Sequence, residues 1–305
     1  MQNTKYYLAA ISAYTTWGFF ALVLKPLHAY SSLDILFYRV FSCALLTLLI
    51  TVLFKRKKLK ESVQLFKGLP PQKKRRTILL NVGGSIFLTA NWFSFIYVMN
   101  HISVKATSLA YLVCPIITTL IAFFLLHEKL SKLQWFAVAL SIASCLLLSY
   151  TSLTDMLFSI LIGSSYACYL VSQRRNVGFD KFIVLTFHIV LSAMILLLFY
   201  PGFSGPTPTQ FQFYAYVEII AIAFTIIPLF LNLYALNGID SSTAGMLLNI
   251  NPIIAFALAK LVYHEPIGTL QIISYTAIFV SVILFNADGL FKARQNTTMI
   301  VPRES

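Results

Sequence analysis

The sequence predicts an all-α integral membrane protein with ten transmembrane helices in two related halves. Of its 305 residues, 58% are hydrophobic and only 11% are charged, whereas a water-soluble domain carries about 25% charged residues. A second observation is an internal repeat, since the stretch from Tyr97 to Gln134 returns without gaps from Tyr234 to Gln271. Composition therefore indicates a membrane protein, and the repeat indicates a duplicated unit.

The repeat rests on matched residues and not only on shared hydrophobicity. The matched pairs are spread along both copies in one register: Tyr97 with Tyr234, Asn100 with Asn237, Pro115 with Pro252, Glu128 with Glu265, and Gln134 with Gln271. Chance could supply one or two such matches, but hardly the whole series.

Ten apolar runs follow one another along the chain, each about 20 residues long, the length that crosses about 30 Å of hydrocarbon. Each run is predicted to be helical, because backbone in lipid must satisfy its own hydrogen bonds and barrel strands would be shorter and alternating. The first run is expected to be a retained helix, since no small-residue cleavage site of a signal peptide follows it. The predicted helices occupy 6–24, 33–54, 77–99, 105–126, 133–151, 154–172, 182–200, 213–236, 241–262 and 269–286.

The distribution of Lys and Arg predicts that both termini face the cytoplasm. With the N-terminus inside, nineteen of these residues fall in cytoplasmic segments, and three, Lys25, Lys105 and Lys260, fall at outer helix ends. Basic residues accumulate on the cytoplasmic side of membrane proteins.

Five helices per copy have a consequence for architecture. An odd number of crossings places the two copies upside down relative to each other, which gives an inverted five-plus-five repeat. The predicted units are 1–152 and 153–286, followed by a cytoplasmic tail, 287–305. Inverted repeats around a midplane site are typical of secondary transporters, which expose that site alternately to either side.

The segment 55–76 carries ten Lys and Arg residues and one acid. Apolar residues recur in it at helical spacing until Pro70 and Pro71 stop the run. This pattern predicts a short amphipathic helix on the anionic cytoplasmic leaflet. Nucleic-acid binding is the alternative explanation of so many cations, and the position between two membrane spans argues against it.

The sequence shows no catalytic or metal-binding motif. The two His-Glu pairs resemble half of a zinc-protease motif, but Ser131 and Gly268 stand where a second His is required. The four cysteines are isolated within helices. We therefore expect no enzyme, no metal and no cofactor. Glu128 and Glu265 are expected to cap the helix that follows each of them or to pair with a cation, and a gating role is the alternative.

Ionisable residues at membrane depth are costly, and each is a functional hypothesis. Arg39 lies within the second helix, and Glu218 and Lys260 lie in the outer thirds of theirs. Arg39, with or without Lys260, is a candidate ligand for a substrate carboxylate or other anion, with Glu218 as competing counter-ion or proton carrier. The alternative is a structural ion pair of Glu218 with one of these cations. His188, in the seventh helix, could titrate at depth, or it could be a hydrogen-bonded packing residue.

Amide and aromatic side chains within the spans form a second candidate set. The prolines Pro115 and Pro252 each remove a helix donor and free a carbonyl one turn back, which marks them as candidate hinges. Amides and aromatic faces suit an amphipathic organic solute, although aromatic belts and interhelical amide bonds explain such residues equally well. The candidate binding residues are Tyr14, Trp17, Asn91, Trp92, Tyr97, Asn249 and Asn251.

Several stretches are similar to one known family. These are Trp17-Gly18 followed by Lys25, Arg39 with Ser42, Asn91-Trp92 leading into Tyr97-Val98-Met99-Asn100, the run from Ala106 to Tyr111 before Pro115, and Glu128 with Gln134-Trp135. Together with the inverted repeat, they resemble the EamA branch of the drug/metabolite transporter superfamily, and within it the RarD group. The resemblance implies transport without ATP in a bacterial inner membrane, and it adds Tyr111 to the candidate binding residues.

The sequence therefore favours a secondary transporter that exports or exchanges small organic metabolites such as amino acids or drugs. Its transport could be coupled to protons or to a counter-substrate. The protein could be a monomer or a homodimer. Nucleic acid is not an expected partner. The alternatives are a passive channel or lipid scramblase, and a membrane scaffold or membrane-embedded enzyme that transports nothing.

Overall fold

A computed structural model of the chain describes residues 4–102, 104–149, 153–264 and 268–298. Over these residues the secondary structure consists of helices and their connections, without β-strands. The all-α prediction is confirmed. Glu265 and the end of the chain after 298 lie outside the described residues.

Fourteen α-helices follow one another in the described residues, several of them consecutive pieces of one span. They are α1 (Thr4–Gly18), α2 (Phe20–Leu24), α3 (Ser32–Leu53), α4 (Arg56–Gly68), α5 (Pro71–His101), α6 (Val104–Leu126), α7 (Lys132–Ser149), α8 (Leu153–Arg174), α9 (Lys181–Phe203), α10 (Phe211–Ala221), α11 (Ile227–Ala235), α12 (Ser241–Leu247), α13 (Ile250–Leu261) and α14 (Thr269–Thr298).

Nine stretches of the described chain are long and apolar enough to cross a membrane. The tenth predicted span, 133–151, corresponds to α7, whose apolar part, Lys132–Leu148, is shorter. Ten crossings, the inverted arrangement and the cytoplasmic termini therefore stay predictions, while a multi-pass helical membrane protein is established.

Three of the spans are interrupted. A short 3₁₀ turn, Lys25–Leu27, follows α2, and a π-helical turn, Ile222–Ile226, separates α10 from α11. The break between α12 and α13 lies at Leu248–Asn249, one turn before Pro252, whereas α6 runs unbroken through the matched Pro115. Of the two candidate hinges, Pro252 therefore lies beside a break in its helix and Pro115 does not.

Helices of the first half pack mainly against helices of the second half. The pairs in closest contact across the chain midpoint are α6 with α8, α7 with α14, α3 with α9, α1 with α11, and α5 with α8. Each of the five buried apolar clusters among the described residues contains residues of both halves, so neither half has an apolar core of its own.

The two histidines of the His-Glu motifs share an unusual backbone conformation. His127 has φ 55° and His264 has φ 53°, and they are the described non-glycine residues with positive φ. His127 directly follows α6, and the backbone N–H of Glu128 donates to the Ala122 carbonyl in the last turns of that helix at 3.3 Å. The duplicated sequence therefore has a matching backbone conformation at this position in each copy.

The basic segment is helical as predicted. The helix α4, Arg56–Gly68, stops before Pro70 and Pro71, and its Leu59 and Phe66 are half-buried. Its contact with lipid stays a prediction.

Candidate functional site

A cavity of about 720 Å³ lies between the two halves, within the range of about 300–1,000 Å³ typical of pockets for small molecules. Its walls come from the ends of α1 and α5, the starts of α3 and α6, and parts of α8, the π-helical turn, α13 and α14. These helix ends are on the side that the Lys and Arg distribution predicts to be outside. Residues of both halves are therefore required to form the site.

Most of the predicted binding residues meet in this cavity. It is lined by Trp17, Arg39, Asn91, Trp92, Tyr111 and Asn251, with Pro252 beside them. Sequence reasoning thus found a substantial part of the polar and aromatic lining, although these residues are scattered over five helices.

Arg39 is placed by α3 so that its guanidinium reaches the cavity wall. The guanidinium carbon lies 5.4 Å from the centroid of the Trp92 ring, which is a cation–π distance. Its Nε atom is buried and has no hydrogen-bond partner. The ion pairs among the described residues join Lys58 to Glu61 and Arg174 to Asp240, so no acid neutralises Arg39.

Among the described residues, no cation forms an ion pair with Glu218. Its carboxylate accepts a hydrogen bond from the Ser42 hydroxyl. Glu218 and Lys260 are both exposed, and neither lines the cavity. The ion pairs of Glu218 with Arg39 or Lys260, considered as the structural alternative, do not form.

A hydrogen-bonded chain closes the cavity on its inner side. The Tyr14 hydroxyl donates to Asn232 Oδ1 at 2.7 Å, and Asn232 Nδ2 donates to the Tyr166 hydroxyl at 3.2 Å. Tyr166 lines the cavity, while Tyr14 and Asn232 are fully buried behind it. Tyr14 therefore supports the binding surface without forming part of it.

The π-helical turn supplies a further link. The Trp17 indole N–H donates to the Phe224 carbonyl at 2.8 Å, which lies in this irregular turn. Such turns leave carbonyls outside the regular helix ladder and recur at functional sites. Trp17 is thereby held with its ring at the cavity wall.

The model of one known family matches the chain twice. It is described as the EamA-like transporter family, and the matched residues are 4–150 and 153–287. This chain belongs to the EamA family.

Curated relatives agree with the family. An uncharacterized transporter, YojE, of Bacillus subtilis is 28% identical over 280 residues, which is 90% of each chain. The protein RarD of Escherichia coli is 25% identical over 297 residues, covering 95% of this chain and 96% of its own. A solved structure described as "Crystal structure of protein" has a TM-score of 0.69 at 15% identity and covers 93% of this chain and 97% of its own, which shows a shared fold. This EamA protein is thus RarD-like and belongs to the drug/metabolite transporter superfamily, as a multi-pass transporter of the bacterial inner membrane.

Besides Tyr14, Glu218 and Lys260, three further predicted residues of this EamA protein do not line the cavity. Tyr97 is exposed and stacks on His101 at 4.5 Å between ring centroids. Asn249 is enclosed beside the α12–α13 break, and neither of its amide atoms has a hydrogen-bond partner. His188 is fully buried against Tyr169, whose hydroxyl lies 3.4 Å from its Nδ1 atom.

Glu128 requires a correction. Its carboxylate accepts hydrogen bonds from the backbone N–H groups of Ser241 at 2.8 Å and Ser242 at 3.0 Å, and from the Ser242 hydroxyl at 2.6 Å. It therefore caps α12, in the other half, and not the helix that follows it.

The helix after Glu128 has its own cap. At the start of α7, the Ser131 N–H donates to Gln134 Oε1 at 2.9 Å, and the Gln134 N–H donates to the Ser131 hydroxyl oxygen at 3.2 Å. This reciprocal pair is a capping box. Because it satisfies the first donors of α7, the carboxylate of Glu128 is left to reach α12.

Sequence reasoning missed part of the EamA cavity lining. Tyr166, Phe224, Phe256 and Tyr275 all line it. With 16 Tyr and 26 Phe in the chain, an aromatic residue alone gives no signal. Gln271 also lines the cavity, and its match to Gln134 in the repeat is the one sequence feature that drew attention to it.

Within the described residues, no group of three His, Cys, Asp or Glu side chains is arranged to hold a metal ion. The relatives are named as transporters, which is consistent with a protein that is not an enzyme.

Proposed function

We propose that this EamA protein is a secondary active transporter that exports or exchanges a small organic solute by alternating access. The observation that carries the proposal is a cavity built by both halves at one side of the bundle, with interlocked loops at the opposite side. The solute binds in the cavity, and the bundle then opens at the other end.

The interlocked end joins loops of both halves. The Glu128 cap on α12 joins the two halves. Within the second half, the Arg174 guanidinium donates to the Leu236 carbonyl at 2.9 Å and to Asp240 at 3.2 Å. The Arg175 guanidinium donates to the carbonyl of Leu125. By the Lys and Arg distribution this end is cytoplasmic, so these contacts act as a cytoplasmic gate in an outward-open state.

The repeat provides the second state. Two copies of one unit, related by an inverted arrangement, can exchange conformations so that the gate forms at the other face. The left-handed conformation of both His127 and His264 supports this, because these residues occupy corresponding positions after α6 and α13 in the two copies. Export or exchange, and proton or counter-substrate coupling, belong to this proposal.

The rival functions differ in what moves across the membrane. A passive channel or lipid scramblase gives flux that neither saturates nor responds to solute on the far side. A scaffold or membrane-embedded enzyme gives no flux. The enclosed inner end of the cavity, with its chain from Tyr14 to Tyr166, favours a carrier over an open pore.

Counterflow in proteoliposomes tests the proposal. Vesicles preloaded in turn with an amino acid, a monocarboxylate, a nucleoside or a neutral drug are diluted into a trace of the same labelled compound. Transient accumulation that requires preloading and saturates is the expected result for one class. Vesicles without protein are the control. Linear flux that ignores preloading would establish a channel, and no flux of any solute, ion or lipid would establish a scaffold.

A further inference from the structure

The charge inside the cavity is the starting point. Arg39 is the single charged side chain among the described residues that line it. The rest of the lining is apolar, aromatic or uncharged polar. The cavity therefore carries one fixed positive charge and no negative charge.

That charge has no counter-ion in the protein. Arg39 lies within a membrane span, its Nε atom is buried without a partner, and the Glu218 carboxylate is engaged by Ser42. A lone Arg at membrane depth is costly, and a buried charge is stabilised only when it is paired and hydrogen-bonded. The Trp92 ring supplies a cation–π contact, which does not neutralise the charge.

We propose that the transported solute is an organic monoanion whose carboxylate binds Arg39 while an apolar or aromatic body fills the rest of the cavity. The inference rests on the proposed function, because it names the solute for the same cavity. The planar guanidinium can hold a carboxylate through two parallel hydrogen bonds.

The surrounding side chains fit the same solute. Trp17, Phe224, Phe256 and Tyr275 present aromatic surface, which suits an apolar body. One of the two Nδ2 hydrogens of Asn91 is engaged by the Ile162 carbonyl at 3.0 Å, and Arg39 is the one charged donor among the described lining residues.

The absence of an acid gives the proposal its specificity. No Asp or Glu occurs among the described lining residues, so an ammonium group would enter the cavity without a negative counter-charge. A zwitterionic amino acid would have to leave one charge unpaired, and a cation would be repelled by Arg39. A monocarboxylate is therefore preferred over an amino acid of the same size.

Three compounds of one shape test this directly: 3-phenylpropanoate, its neutral amide, and phenylalanine. Binding to the full-length protein in detergent is measured by calorimetry at neutral pH. We expect 3-phenylpropanoate to bind at least about tenfold more tightly than either of the others, the scale of one charge-assisted interaction. Equal affinity of the amide or of phenylalanine, or no binding of the carboxylate, would overturn the proposal.

Two substitutions locate the preference. Arg39→Gln is expected to reduce the preference for carboxylate over amide to about onefold, and Arg39→Lys to retain part of it, because a lysine keeps the charge but loses the planar fork. Lys132→Gln, an exposed cation at the start of α7, is the charge-matched control and should leave the preference intact. If the Arg39→Gln protein is unfolded, the comparison of the three compounds on the unaltered protein still decides.

A small anion without an apolar body is the other source of negative charge. Competition by chloride and by acetate is expected to be weak, since neither fills the aromatic part of the cavity. Competition as strong as that of 3-phenylpropanoate would overturn the assignment of a solute with an apolar or aromatic body. Binding of 3-phenylpropanoate without counterflow would contradict the proposed function and leave this inference standing. Counterflow of phenylalanine or the amide in preference to the acid would contradict this inference and leave the proposed function standing.

Discussion

Asn232 connects two tyrosines of different helices and is the residue on which the inner side of the cavity depends. Its amide accepts from Tyr14 and donates to Tyr166, and all three side chains are buried. A buried donor or acceptor that loses its partner keeps the full penalty of its desolvation. The chain therefore fixes α1, α8 and α11 to one another at this depth.

Asn232→Leu should lower the stability of the folded protein by about 1–3 kcal/mol, because it leaves two buried hydroxyls unpaired. The measurement is thermal unfolding in detergent, followed by tryptophan fluorescence. Gln64→Leu, at an exposed position of α4, changes the same chemical group without removing a buried partner. An equal effect of both substitutions would show that the hydrogen-bonded chain contributes nothing.

At the residue scale, the sequence revealed the unusual residue types but not their partners. Arg39 stood out because a charge within an apolar run is rare, and Asn91, Trp92 and Asn251 stood out as polar or amphipathic residues in helices. Tyr166 did not stand out, since its role depends on its position opposite Asn232 and not on its type. The site was thus partly predictable, and the remainder depends on how distant helices pack.

The helices α6 and α8 approach closely because one of them carries a glycine at the crossing. A Cβ atom added at Gly163 would lie 3.1 Å from the Ala110 carbonyl oxygen and 3.2 Å from the Cys114 backbone nitrogen. These are backbone atoms that cannot rotate away. Small residues at helix crossings are a general means of close packing in membranes.

Gly163→Ala is expected to destabilise the protein by about 1–3 kcal/mol through overpacking. Gly83→Ala is the matched control, since its added Cβ would find Phe87 at 4.0 Å, and it should be neutral or stabilising by about 0.4–1 kcal/mol. Both are measured by thermal unfolding in detergent. If Gly163→Ala proves as stable as Gly83→Ala, the crossing has room that the structure does not show.

Capping of α12 by Glu128 links a helix end in one half to a loop in the other. An N-cap interaction contributes about 0.5–2 kcal/mol, and a negative charge near a helix N-terminus adds to it. Because α12 lies at the proposed cytoplasmic gate, losing the cap should favour opening at that face.

Glu128→Ala should increase the rate at which a cysteine at Thr243, a buried position of α12, reacts with a membrane-impermeant maleimide added from the cytoplasmic side. An increase of about fivefold corresponds to about 1 kcal/mol of lost capping. Glu61→Ala, which removes an exposed acid paired with Lys58, is the control. Both variants are made in a protein whose four native cysteines have been replaced, so that the maleimide reacts only with the cysteine at position 243. Identical rates in the two variants would remove Glu128 from the gate.

At the element scale, hydrophobic runs located the spans, but not their internal breaks. The π-helical turn at Ile222–Ile226 lies within an almost uniformly apolar run, and the break at Leu248–Asn249 lies inside a stretch predicted as one span. Pro252 indicated a break near its position, and the matched Pro115 would have indicated another where α6 is continuous. The identity of the helix that Glu128 caps was also hidden, because it depends on a contact across the repeat.

The arrangement of the whole molecule follows from the number of crossings. If α7 crosses the membrane as predicted, the loop that contains Gly178 is cytoplasmic and the loop 204–210, between α9 and α10, is outside. If α7 does not cross, these two loops exchange sides.

A single cysteine at Thr207 should therefore react with an impermeant maleimide added to intact cells, and one at Gly178 should react only after permeabilisation. The protein without native cysteines is the blank. Labelling of position 178 in intact cells would contradict ten crossings and the inverted repeat together.

The unpaired Arg39 has a consequence for the energy of transport. The positive charge stays with the protein, so a bound monoanion is carried across as one net negative charge. A bacterial inner membrane is negative inside, and moving one elementary charge through 100 mV is worth about 2.3 kcal/mol. The membrane potential would then expel the anion and hold its concentration about fiftyfold higher outside per 100 mV, so export of such a solute needs no coupling ion.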